Sequence, residues 1–409
     1  MRFTLFLVRR FFLQISTRSS IIVSLVAFFG VFLGVYTLVV VLGVMQGFEH
    51  DLKKRILNVQ GHIAVFKFQA TPIEEPDSIM KKIQTIPNII VISPFITQEI
   101  LIVKEKEVTG TLLRGVDPRL ERKILHLRKT AINGRFDFNA KSYREVVLGK
   151  SLAKRLGAEV GDSVTLASPS LSKMGPLGSA GPRLLRCKVI GTLDLGLYQF
   201  NNNLSYVSLK TARKFFRMKK PAISGFSLQI KDPYKAKQKR LILQKKLGGF
   251  PYLTSSWEEI NSNLFEAIAL ERLVMFVILI LILIMASFSI TSSLIIMVLE
   301  RMRTIGILGA IGVSRHKVQL IFWSIGLLIG ILGTTAGLTS GLITGFFFQK
   351  YSLLNLPQDI YWIKGTPFSF SIENSIVLLS FTLLLSILAA VIPAWWVSKQ
   401  DPMKAIRYG

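Results

Sequence analysis

The chain has 409 residues, half of them hydrophobic, with a formal net charge of +27. Its single cysteine, Cys187, excludes an internal disulfide, and four scattered histidines (His50, His62, His126, His316) lack metal-ligand spacing. The charge invites a nucleic-acid reading, but eleven of the 51 basic residues flank apolar segments and much of the rest reads as solvated faces.

Four stretches contain no Lys, Arg, Asp or Glu: Ser19–Phe48, Leu273–Leu299, Val318–Gln349 and Asn374–Ser398. Each exceeds the ~20 apolar residues that cross ~30 Å of hydrocarbon as a helix. The expected fold class is therefore an integral membrane α-helical protein. Four transmembrane helices stand in a 1+3 arrangement, with a large extracytoplasmic α+β domain between helices one and two. In chain order this divides into a cytoplasmic flank (1–18), span one (19–48), the head (49–272), span two (273–299), a cytoplasmic loop (300–317), span three (318–349), an outer loop (350–373), span four (374–398) and a cytoplasmic tail (399–409). Span one is too long for a signal-peptide core, and no small-x-small cleavage site follows it, so it reads as an uncleaved anchor.

Positive charge on short loops sets orientation. Arg2, Arg9, Arg10, Arg18, Arg301, Arg303, Arg315, Lys317, Lys399, Lys404 and Arg407 fall on one side of a four-span topology. Only Lys350 and Lys364 lie on the short loop opposite. The head is expected outside.

Within the head, strand-like runs fall at Gly61–Phe68, Ile89–Ser93, Glu99–Val103 and Glu145–Leu148. Helical patterns fall at Asp77–Ile86 and Ser208–Phe216, the latter with Ser208 as N-cap. Gly149-Lys150-Ser151 imitates the end of a phosphate-binding loop, but Arg144 stands where its first glycine is required. Ser168–Pro182 is rich in Gly and Pro, and reads either as a surface loop or as a projecting hairpin arm. Leu185–Leu193 alternates like a strand and places Cys187 in a buried position. Lys235–Lys246 reads as an exposed helix, and Ser255–Arg272 as a helix running without a breaker into span two.

After span two, Glu300–Phe322 is short, basic and amphipathic, with Ile307, Leu308 and Ile311 on one face. Gly312 can end a helix in left-handed geometry and Ser314 can cap the next. This is either a plain turn or a docking helix for a cytosolic partner. In span three, Gly326, Gly330, Gly333, Gly337, Gly341 and Gly345 form a small-residue stripe, suited to packing within the chain or to a subunit contact. No Ser/His/Asp constellation or metal-binding pattern stands out, and no cofactor is expected.

Several segments carry a resemblance: VMQGFEHDLKKRIL (Val44–Leu57), VLGKSLAKRLGAEVGDSVTL (Val147–Leu166), the loop after span two, LPQDIYWIKGTPFSF (Leu356–Phe370) and IPAWWVSKQDPMKAIRYG (Ile392–Gly409). With them the chain resembles the permease subunits of lipoprotein-releasing ABC transporters, the LolC/LolE type of MacB-like permease. The resemblance implies a non-catalytic mechanotransmission subunit in a bacterial inner membrane. Its partners would be a cytosolic ABC ATPase subunit, a second permease subunit (self or paralogue), a lipoprotein substrate, a periplasmic carrier chaperone and membrane lipid, with no nucleic acid.

It also implies that Glu300, Arg301, Arg303, Ile305, Gly306, Ile307, Leu308 and Ile311 form the ATPase-coupling segment. Thr304 and Gly309 stand where the family often has an acidic and a basic residue. A chaperone-capturing arm would fall on Ser168–Arg186, including Met174, Gly175, Pro176, Leu177, Pro182 and Arg183. Gly333, Gly337, Gly341 and Gly345 remain helix-packing positions. Alternatives are a MacB-like efflux or peptide-export permease and a non-transporting regulator of a periplasmic partner.

Overall fold

A computed structural model describes residues 18–126, 131–139, 144–168, 183–219, 221–351 and 367–398. They divide into two compact units, one built from 18–50, 267–351 and 367–398, the other from 51–266.

The first unit is helical. Its elements are α1 (Arg18–Val59, whose last nine residues belong to the second unit), α9 (Ser262–Glu300, from Ala267 onward), α10 (Met302–Ala310), α11 (Arg315–Tyr351) and α12 (Ile372–Ser398). α1, α9, α11 and α12 are each long and apolar enough to cross a membrane. α1 has 42 residues, roughly 60 Å at 1.5 Å per residue, well beyond the hydrocarbon thickness. The helices also outrun the uncharged stretches, α1 continuing past Phe48 to Val59 and α9 beginning eleven residues before Leu273. Pro393 inside α12 has no N–H for the carbonyl of Ala389, and Thr291 of α9 donates its hydroxyl to that oxygen at 2.9 Å.

The second unit is α+β. Ten strands, β1 (Ile63–Lys67), β2 (Ile89–Lys104), β3 (Glu107–Val116), β4 (Ala131–Gly134), β5 (Glu145–Gly149), β6 (Ser163–Ser168), β7 (Arg183–Asp194), β8 (Leu204–Ser208), β9 (Gly225–Ile230) and β10 (Tyr252–Ser256), form one sheet. Its order is β10-β1-β9-β2-β3-β8-β5-β7-β4, and β6 bridges β2 and β7. Strands β2, β3, β8, β5, β7 and β6 thereby close into a ring. Buried Ile102, Val146, Val164, Leu166, Cys187 and Val189 belong to one apolar cluster among these strands. Short helices decorate the sheet: α2 (Pro76–Gln84), α3 (Pro118–Ile124), α4 (Lys150–Arg155), α5 (Tyr198–Asn203), α6 (Leu209–Phe216), α7 (Ala236–Lys246) and α8 (Trp257–Ile260). Ser208 caps α6 through the Thr211 N–H at 3.1 Å.

Three expected elements are corrected. Ile89–Ser93 and Glu99–Val103 are not separate strands but parts of β2, which runs through Pro94. The first β2–β3 pair is Phe95↔Val116, so at Pro94 a strand partner is needed on one side only. The helix expected from Ser255 starts later and is interrupted. Ser255 and Ser256 pair with β1, Ser256 and Glu259 form a capping box opening α8, and Asn261 (φ −107°, ψ 28°) separates α8 from α9.

Candidate functional site

The turn between α9 and α11 is built from backbone requirements upward. α9 ends at Glu300, Arg301 leaves helical geometry (φ −104°, ψ 9°), and α10 follows. Gly312 takes φ +95°, a conformation that side chains resist, and the N–H of Val313 closes on the Leu308 carbonyl at 3.0 Å. The next helix starts immediately after Ser314.

α10 then shows two faces. Ile305 and Gly306 are buried, Ile305 in the same cluster as Val318, Ile321 and Phe322 of α11. Ile307 and Ile311 point outward, 45% and 76% exposed, with Leu308 half-buried between these extremes. Arg303, Thr304, Arg315, His316 and Lys317 are exposed around them. Two large apolar side chains, Ile307 on this nine-residue helix and Ile311 at its C-cap, are ringed by cations and have no partner for their apolar surface among the described residues. Of the residues that the resemblance assigns to the coupling segment, Ile305 thus faces α11, while Ile307 and Ile311 face out.

The glycine stripe is occupied by the chain itself. A Cβ at Gly333, Gly337 or Gly341 would come within 2.9 Å of Val31, Val35 or Val39 on α1, and one at Gly337 within 2.7 Å of the Phe32 carbonyl. Gly326 and Gly330 face Ala390 and Ser386 of α12, while Gly345 abuts the Phe368 ring, which also covers Gly43 of α1. All six stripe glycines are buried, so the alternative of a subunit contact through them is corrected: the stripe is shared between α1, α12 and the Phe368 ring of the same chain. Phe368, whose neighbour Ser369 donates its N–H to the Gly43 carbonyl at 2.9 Å, was not singled out in the sequence. The Gly43/Gly47 pair one helical turn apart was its available signal. The ion pair between Glu49 and Arg272, joining α1 to α9, carried no comparable signal across 223 positions.

These features coincide with two family models. Residues 24–240 match the MacB-like periplasmic core domain and residues 276–402 the FtsX-like permease C-terminal domain. The lipoprotein-releasing system transmembrane protein LolC of Xylella fastidiosa (strain Temecula1) is 30% identical, over 94% of this chain and 94% of that protein. LolC of Neisseria meningitidis serogroup B is 30% identical over the same shares, and LolE of Haemophilus influenzae 27% identical over 94% of this chain and 95% of that protein. The chain belongs to the LolC/LolE family of MacB-like permeases.

Of the remaining positions singled out by resemblance to LolC/LolE, Met174, Gly175, Pro176, Leu177 and Pro182 lie outside the described residues. Arg183 opens β7, pairs with Ser168 and donates to the Phe215 carbonyl at 3.4 Å. Leu184, Leu185 and Arg186 likewise sit in the β6–β7 ladder.

Elsewhere in this permease, Lys150 donates to Asp194 at 3.0 Å. Burial pushes the Cys187 thiol up to about 12, which leaves it an inert core group rather than a nucleophile. Among the described residues, no group of three or more His, Cys, Asp or Glu is placed to hold a metal ion.

Proposed function

We propose that this chain is the permease subunit of an ABC transporter that releases outer-membrane lipoproteins from the inner membrane to a periplasmic carrier chaperone. The observation that carries the reading is similarity to LolC proteins across 94% of the chain, far beyond the coupling-loop and tail motifs shared by MacB-like permeases in general. In this reading the four apolar helices span the inner membrane in a 1+3 arrangement, with the second unit in the periplasm. Ile307, Leu308 and Ile311 seat α10 in an apolar groove of a cytosolic ATPase subunit, with Arg301, Arg303 and Glu300 at its rim. ATP-driven closure of the ATPases moves α10, and the spans carry that movement to the head. A second permease subunit completes the pathway, and the 169–182 segment meets the carrier.

Depletion of the protein tests the reading. Outer-membrane lipoproteins should accumulate in the inner membrane, as followed by membrane fractionation. Normal lipoprotein sorting in depleted cells, with loss of export of another substrate, would replace it by an efflux function.

A further inference from the structure

Gly110 lies in the middle of β3, where glycine weakens a strand and often marks the close approach of a ligand or another backbone. Among the described residues nothing approaches it: a Cβ built there meets no atom within 4 Å. Gly115 of the same strand differs, because a Cβ there would collide with Ala212 of α6. The fold thus explains one glycine of β3 and leaves the other unexplained.

The space above Gly110 opens into a groove of about 550 Å³, a size typical of ligand clefts at ~300–1,000 Å³. Leu101 and Leu112 lie beside Gly110 on the same face of the β2–β3 ladder, and Phe200 and Asn203 of α5 form a wall. The groove also borders an unused strand edge. β8 pairs with β3 only from Leu112 onward, so Glu107–Thr111 has β2 on one side and no described strand on the other. Five residues of edge extend roughly 17 Å, and an unpaired edge is a template for another chain's backbone.

Charge narrows the occupant. In a chain of net charge +27, Glu99 is the only charged residue among the described residues that line this groove, and Glu107 stands exposed at the start of the edge. Anionic headgroups and phosphates are disfavoured there, and a neutral or cationic occupant fits.

We propose that this groove docks an extended, neutral or cationic polypeptide that adds as a strand to the Glu107–Thr111 edge of β3. Every second side chain of the added strand packs over Gly110 against Leu101, Leu112 and Phe200, while its backbone supplies the hydrogen bonds β8 does not reach. The inference concerns backbone recognition and does not depend on lipoprotein release.

The test uses the full chain in lipid nanodiscs and a fluorescein-labelled peptide of alternating Ser and Val with Lys at both ends, followed by anisotropy. The peptide should bind, and its fully N-methylated form, which cannot donate backbone hydrogen bonds, should not. Gly110→Val, which fills open space without a clash, should weaken binding at least ~10-fold with an unchanged thermal transition. Ser163→Val, on the outer face of β6 away from the groove, should leave binding intact. Exchanging the terminal Lys for Glu should weaken it. Absence of peptide binding, or binding indifferent to both N-methylation and Gly110→Val, overturns the proposal. Oleate binding lost in Gly110→Val, with no peptide binding, would reassign the groove to an apolar ligand.

Discussion

The two units solve the problem of packing with opposite materials. In the second unit, large side chains are sealed inside: Trp257, Tyr206, Phe136 and Phe226 are fully buried. In the helical unit, glycines occupy the closest contacts and many large side chains lie on the outside, Phe276, Met285 and Phe288 among them at 59–72% exposure. Water drives large apolar groups inward in the first case. Lipid offers no such drive, and close backbone approach takes its place in the second. Equivalent substitutions should therefore fail for different reasons in the two units.

The largest effect is expected where a big side chain is removed from the second unit. Trp257 packs edge-to-face with Tyr234 and Phe265, and donates Nε1–H to the Pro233 carbonyl at 3.0 Å. Trp257→Ala should cost about 3–5 kcal/mol, read as a lowered thermal transition of the head. In the helical unit the converse change should be the damaging one. Gly337→Leu forces a side chain against the Phe32 carbonyl and Val35, at a cost of ~3 kcal/mol, the upper part of the overpacking range. Ile343→Ala, at a position 56% exposed, should be nearly silent in the same detergent-stability assay. Equal tolerance of Gly337→Leu and Ile343→Ala would break the comparison.

Acid should separate the units next. His62 is buried and its Nδ1 accepts the Ile230 N–H at 3.1 Å. Burial, the largest influence, lowers its pKa from 6.5 to about 4. The unfolded chain thus binds a proton in the window between pH 6.5 and 4 that the folded chain refuses. His62's contribution is complete above pH 6.5 and is lost as pH falls. Between pH 7 and 4.5 the head should lose about 2 kcal/mol through this group. Hydrogen exchange should show the loss in β1 and β9, with little change in α11 and α12.

The smallest effect on folding, and the most specific on assembly, is expected at α10. Ile307→Asp with Ile311→Asp should change stability by less than ~0.5 kcal/mol, as for surface sites. ATPase co-purification should nevertheless be lost, because each charge would have to be desolvated against an apolar groove. Retained co-purification and release would remove α10 from the contact.

Periodicity and charge determined a good deal on their own. Uncharged runs of about 30 residues can satisfy their backbone in lipid only as helices, so the four apolar helices were legible without coordinates. Ser208 as a cap, Gly312 in the left-handed region and Cys187 on a buried strand were equally legible, because each depends on neighbours a few residues away. Long-range partnerships were not. That β2 runs through Pro94 depends on where β3 begins to pair, and the closing of six strands into a ring depends on β6 meeting both β2 and β7. The sequence displayed the glycine stripe, but only packing decided that its glycines face Val31, Val35 and Val39 on one side and Ala390 and Ser386 on the other. It displayed the apolar residues of α10, but not that Ile305 turns inward while Ile307 and Ile311 stay out. Local rules set which residues can form an element, and the contacts between distant elements decide which face of it is left for a partner.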